Sequence, residues 1–109
     1  MNHVSLDNLT LATFLPLVNT AFRARANDSV IIEIQLTRAL PPRHSRPDAD
    51  DHKSFSLLFS GPGDRFLEQG IYSFEHDRIG QFDLFIVPVG RSGGRFEYQA
   101  VFNRLEPEA

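Results

Sequence analysis

The stretch Ile71–Gly90, "IYSFEHDRIGQFDLFIVPVG", holds two apolar-rich runs around the polar tetrapeptide Asp77-Arg78-Ile79-Gly80. In "IYSFEH", Tyr72, Phe74 and His76 fall at alternate positions, which is the two-residue period of a strand with one buried face. Gly80 supplies the positive φ that a tight connection needs, so the stretch is expected to be an antiparallel hairpin. Pro88 lacks an N–H and marks an edge, a bulge or the end of the second strand. Glu75 and His76 are adjacent and form an acid–imidazole pair at the polar end of the first run. In an extended chain their side chains point to opposite faces, so they cannot converge on one substrate as a base and its orienting partner. The expected role for the pair is structural, with His76 at a wet hairpin end or beside Asp77.

The rest of the chain repeats this strand pattern. "SVIIEIQLTRAL" alternates Val30, Ile32, Ile34 and Leu36 with Ile31, Glu33, Gln35 and Thr37. "SFSLLFSGPG" places Phe55, Leu57 and Phe59 on one face and stops at Gly61-Pro62-Gly63. A short strand is expected over Phe22–Ala26. A last hairpin joins "FIVPV" to "RFEYQAVFN" through the glycine-rich "GRSGG", with Gly90 at its start and Asn103 as a polar stop after the final strand. Asp64 could cap a single helical turn over "RFLEQ", closed by Gly70 in the left-handed conformation. Near the N-terminus, Ser5 is a reasonable helix cap. A helix is expected from about Leu6 to Leu15, with Pro16 ending it or starting a new turn. "PPRHSRPDADDHK", residues 41–53, has three prolines, several charges and no apolar periodicity, and is expected to be a mobile loop. The sum is a mainly β protein, α+β at the margin: a small antiparallel barrel or sandwich of about six strands with one N-terminal helix.

The bulk numbers suit one domain over residues 1–109, because a chain of 109 residues leaves no room for two ordinary ones. Hydrophobic residues make up 41 %, including ten phenylalanines, no tryptophan and one methionine, enough for a core without metal or disulfide support. Eleven Lys and Arg against fourteen Asp and Glu give a formal charge of −3, without the basic excess that phosphate contacts demand, so nucleic acid is not expected as a partner. The absence of cysteine removes disulfides, thiol nucleophiles and Cys-ligated zinc. "MNHVSLDNLTLATF" lacks the basic start and apolar run of a signal peptide, and no stretch approaches the ~20 apolar residues of a membrane span. The expectation is a soluble protein of the cytoplasm, or part of a particle assembled inside the cell, with no membrane partner.

Candidate chemistry is sparse. "DADDH", Asp48–His52, gathers three carboxylates and an imidazole, but it lacks the glycine and closing glutamate of a calcium loop and reads as a solvated charged turn. The four histidines, His3, His44, His52 and His76, show no ligand spacing. No nucleophile elbow or phosphate loop is present, and neither "GPGD" nor "GRSGG" exceeds a turn. Arg23, Arg25 and Arg38 could form a partner-facing patch or guard strands against edge pairing. The alternating aromatics read as core before they read as a ligand platform. No catalytic residue, metal ligand or cofactor is expected.

The C-terminal half resembles a family of small bacterial domains of unknown function. The residues that carry the resemblance are Phe59-Ser60-Gly61-Pro62, Gln69-Gly70-Ile71-Tyr72, Glu75-His76, Gly80, Leu84-Phe85-Ile86-Val87-Pro88-Val89-Gly90 and Ala100-Val101-Phe102-Asn103. The N-terminal part departs from the pattern near Asn19, where the family has glycine. The resemblance implies a small β domain with no assigned activity, found beside phage-tail-like genes, and within it Glu75-His76 would fix the hairpin through side chain to backbone hydrogen bonds. The expected function is a non-catalytic interaction or structural module of a bacterial protein assembly, with a protein partner or further copies of itself. The alternative is a small-molecule-binding barrel around Tyr72, Phe74 and Phe85, and an enzyme using Glu75, His76 and the Asp48–His52 loop is disfavoured by geometry.

Overall fold

A computed structural model describes residues 9–41 and 54–102 of the chain. Six strands, β1 (Ala21–Arg25), β2 (Ile31–Leu40), β3 (Phe55–Gly61), β4 (Gly70–His76), β5 (Gly80–Ser92) and β6 (Arg95–Phe102), close into a barrel in the order β1-β2-β3-β6-β5-β4. Every neighbouring pair is antiparallel, including β1 against β4, which closes the ring. Of the two expected architectures the barrel is the one formed. Closure leaves inward residues on all strands facing one another, so the alternation in each strand becomes a single apolar core.

Two bulges help the strands to curl. The β2–β3 register shifts between Leu36 and Arg38, where Thr37 Oγ1 donates to the Leu58 carbonyl at 3.0 Å. The β5–β6 register shifts between Pro88 and Gly90, so Pro88 sits at a bulge and not at an edge. Gly80 has φ 90°, and Gly93 and Gly94 have φ 59° and 77°, the pair of positive angles of a two-residue hairpin turn.

The core is aromatic. Phe14, Phe22, Phe59, Phe74 and Phe82 are fully buried, and Phe55 stacks on Phe102 with centroids 4.4 Å apart. One end of the barrel is plugged by α1 (Leu11–Phe14), which runs into a 3₁₀ turn at Leu15–Leu17. The expected helix from Leu6 is corrected here. Leu9 and Thr10 are not helical, the cap is Thr10, and its amide donates to Thr13 Oγ1 at 3.2 Å. Residues before Leu9, Ser5 among them, lie outside the described residues. Pro16 falls inside the first turn of the 3₁₀ segment, where a missing N–H costs nothing. Asn19 follows with φ 73°, the left-handed conformation that glycine would take and that asparagine tolerates best among the others.

The other end is covered by the β3–β4 connection. The expected helical turn over "RFLEQ" does not form, and Gly70 is the first residue of β4, outside the glycines of positive φ. Tertiary satisfaction replaces local capping: Leu67 is drawn into the barrel end, 2 % exposed, and its amide donates to the Tyr98 hydroxyl at 2.9 Å. Tyr98→Phe would strand that buried donor, and we expect a loss of about 1–2 kcal/mol in urea unfolding, with faster hydrogen exchange at the Leu67 amide. An unchanged midpoint with unchanged exchange would contradict this account.

Candidate interaction site

Glu75 and His76 part company at the barrel wall. Glu75 lies on the outside and its Oε1 accepts from Arg23 Nε at 2.8 Å, directly across the β1–β4 seam. Arg23 Nη2 also reaches Asp77 Oδ1 at 2.8 Å. The guanidinium holds the Asp77 carboxyl below its ordinary range by hydrogen bonding and charge, and the two carboxylates raise Arg23 in turn. The trio joins the hairpin to the first strand, and being exposed it adds little stability.

His76 lies inside. It is 5 % exposed, its ring centroid is 4.5 Å from that of Phe22, and its partners are not the Asp77 expected from sequence. Nδ1 accepts the Arg78 amide at 3.0 Å, so the ring proton resides on Nε2, which donates to Thr20 Oγ1 at 2.9 Å. Thr20 in turn donates to the Leu17 carbonyl. The imidazole therefore ties the β4–β5 turn to the plug, and the expected wet hairpin end is corrected to a buried bridge.

This bridge predicts a pH dependence. Burial lowers the His76 pKa from the ordinary 6.5; Asp77 opposes the shift, and Arg23 and Arg78 add to it. The neutral ring is the one the fold accommodates. Stability should thus hold above about pH 6.5 and fall as the pH drops from there through the lowered native value, because the unfolded chain binds a proton that the native state resists. Urea midpoints between pH 7.5 and 5.5 should fall for the native chain and flatten in His76→Gln. Equal slopes in both would refute the assignment.

The other sequence candidates have structural places. Gly61 packs close: a Cβ there would lie 3.0 Å from Ile34 Cγ2 and 3.1 Å from Tyr98 Cε2. Gly70 and Gly90 have ordinary room for one. Asn103 and the Asp48–His52 loop, with His3, His44 and His52, lie outside the described residues. Among the described residues no three His, Asp or Glu side chains gather to hold a metal, and no helix is long and apolar enough to cross a membrane.

A different feature stands out, one missed by the sequence reading. β2 pairs with β1 along Ile31–Gln35, but with β3 only from Gln35 onward. Asn19 and Thr20 bond Leu36, and Ala26 and Asn27 bond Val30, so the backbone groups of even-numbered β2 residues up to Leu36 face β1. Those of Ile31, Glu33 and Gln35 face the other way. Gln35 finds Ser60 there. Continuing that register would set Glu33 against Pro62, which has no N–H to give, while the Pro62 carbonyl accepts from the Arg65 amide at 3.4 Å. The result is an open strand edge at Ile31 and Glu33, bordered by two grooves of ≈ 510 and ≈ 380 Å³ that share Glu33 and Arg95. Arg95 is held in place, Nε donating to Ser60 Oγ at 2.7 Å and Nη2 to the Ser60 carbonyl at 3.1 Å. Pro62 and Arg65 form the far wall. The signal in the sequence was Pro62 two residues after a strand face, but its consequence depends on which strand lies opposite.

A family model described as a domain of unknown function (DUF6916) matches residues 9–102. The chain belongs to this family. The match spans the whole DUF6916 barrel described here, from the plug to the end of β6, in keeping with the resemblance to small domains of unknown function. No curated protein and no solved structure matches the chain.

Proposed function

We propose that this domain is a non-catalytic interaction module of a bacterial protein assembly. The observation that carries the reading is the open edge of β2: unpaired amide and carbonyl groups on a strand are a template for another chain, and proteins usually cover or blunt them. Other exposed features suit the same role. Ile71, 71 % exposed, stands directly across from the half-exposed Phe85 on the outer face of β4 and β5. Glu75 and His76, the adjacent pair, are separated by the barrel wall, and both ring nitrogens of His76 are taken up by structural hydrogen bonds, which supports a role without catalysis. A phage-tail-like assembly, formed in the cytoplasm, is the setting that the family resemblance suggests. The charge balance favours protein over nucleic acid as the partner.

A small-molecule role for the barrel interior draws no support from the core, where the rings of Phe14, Phe22, Phe59, Phe74 and Phe82 fill the space a ligand would need. The test is affinity capture of the tagged protein from its native host, followed by native mass spectrometry. A stoichiometric protein partner or a defined homo-oligomer is the expected result. A monomer that captures no protein, or that carries a small molecule instead, would overturn the proposal.

A further inference from the structure

Resting on that reading, we infer that the open edge of β2 takes an extended, acidic peptide segment as an added strand. The backbone chemistry sets the mode. Ile31 and Glu33 each present an N–H and a C=O to the gap, two residues apart, the spacing at which an antiparallel strand exchanges hydrogen bonds. The walls set the occupant. The far side of the gap is lined by Pro62, Arg65 and Arg95, and β2 of a second copy would bring its own neighbouring strands against that wall, which favours a lone extended segment.

Charge decides the side chains. Two guanidiniums, Arg65 and Arg95, face one carboxylate, Glu33, across the groove. Arg95 is already oriented by Ser60, and the Arg65 guanidinium has no partner among the described residues. Outward-facing residues of an inserted strand would stand opposite Ile31 and Glu33 with the two arginines on their other side. A carboxylate opposite Ile31 gains charge-assisted hydrogen bonds there, and one opposite Glu33 meets two guanidiniums against a single like charge. The strand's alternate residues would turn inward toward Ile32 and Ile34, which the β3–β4 connection now covers, so only apolar side chains could take the place of that cover. The pattern that fits is therefore alternation of apolar and acidic residues.

The probe is a short capped peptide alternating valine and glutamate, compared with its valine–lysine counterpart and with a glutamate version N-methylated at alternate amides. Backbone amide shifts of the full chain report the site. The glutamate peptide should bind with shifts centred on Ile31, Glu33 and Arg65. The lysine peptide should bind about tenfold more weakly, since rim charges at such a site govern partner choice, and the N-methylated peptide should not bind. Arg65→Glu should reverse the charge preference, and Glu33→Pro should abolish binding by removing the free donor; if Glu33→Pro does not fold, Arg65→Glu decides. No binding, binding indifferent to charge or to N-methylation, or shifts centred elsewhere would overturn the inference. So would a dimer dissociated by Arg65→Glu, which would give the edge to a second copy. A native partner still captured in full by the Arg65→Glu chain would also overturn it, while leaving the interaction-module reading in place.

Discussion

Phe14→Ala is expected to leave the barrel close to unfolding. Phe14 is fully buried, and its ring lies 5.7–6.3 Å from those of Phe22, Phe55, Phe82 and Phe102. These four come from β1, β3, β5 and β6, so one side chain of the plug bonds the interior of four strands. Truncation removes the transfer energy of the ring and leaves a cavity that rigid strands cannot collapse into. The cost for such a residue is about 3–5 kcal/mol, against a total of about 5–15 kcal/mol for a domain. Urea unfolding should show the loss directly. Leu15→Ala, one residue along and half exposed, is the control and should shift stability by no more than about 0.5 kcal/mol. If the two variants matched, the plug would not be part of the core.

Gly63→Ala is expected to cost about 3 kcal/mol, the upper end of what overpacking usually costs. A Cβ on Gly63 would sit 1.9 Å from the Gly94 carbonyl oxygen. Both clashing groups are carried by backbone, so no rotamer change relieves the contact. Either the turn after β3 or the Gly93–Gly94 hairpin tip must move, and that tip is held at two positive φ angles. Unfolding measurements should report the loss, and amide shifts should change most at Gly93 and Gly94. Gly70→Ala, whose new Cβ would find its nearest neighbours at 3.9 and 4.0 Å, should be nearly neutral. Similar effects at both glycines would contradict the close approach. The movement would also open the wall beside Pro62, so Gly63→Ala bears on the β2 groove as well as on stability.

The legible part of this protein was its strands and their faces. Ile32, Ile34 and Leu36, Phe55, Leu57 and Phe59, and Phe74 are buried as the two-residue period required. Strand alternation is a property of the backbone and needs no knowledge of neighbours. Gly80 was legible for a similar reason, the positive φ of a tight turn being a local demand, whereas the expected loop GRSGG shortens to a two-residue turn at Gly93 and Gly94, with residues 90–92 inside β5. The separation of Glu75 from His76 followed from the same geometry.

What the tertiary structure decided was every feature that depends on which strand lies beside which. His76 was read as wet, yet closure of β1 onto β4 puts Phe22 over its ring and the plug beneath its Nε2. "RFLEQ" had the residues of a capped turn, but a long-range hydrogen bond to Tyr98 outcompetes a single isolated helical turn, which is costly to nucleate. Gly63 looks like any turn glycine until a second turn, thirty residues on in sequence, arrives against it. The open edge of β2 is the clearest case. Pro62 is one residue with one missing donor, and only the register of β3 against β2 turns that absence into unpaired groups at Ile31 and Glu33. Local periodicity specifies how each strand presents its faces; the pairing of strands distant in sequence specifies which polar groups are left for a partner.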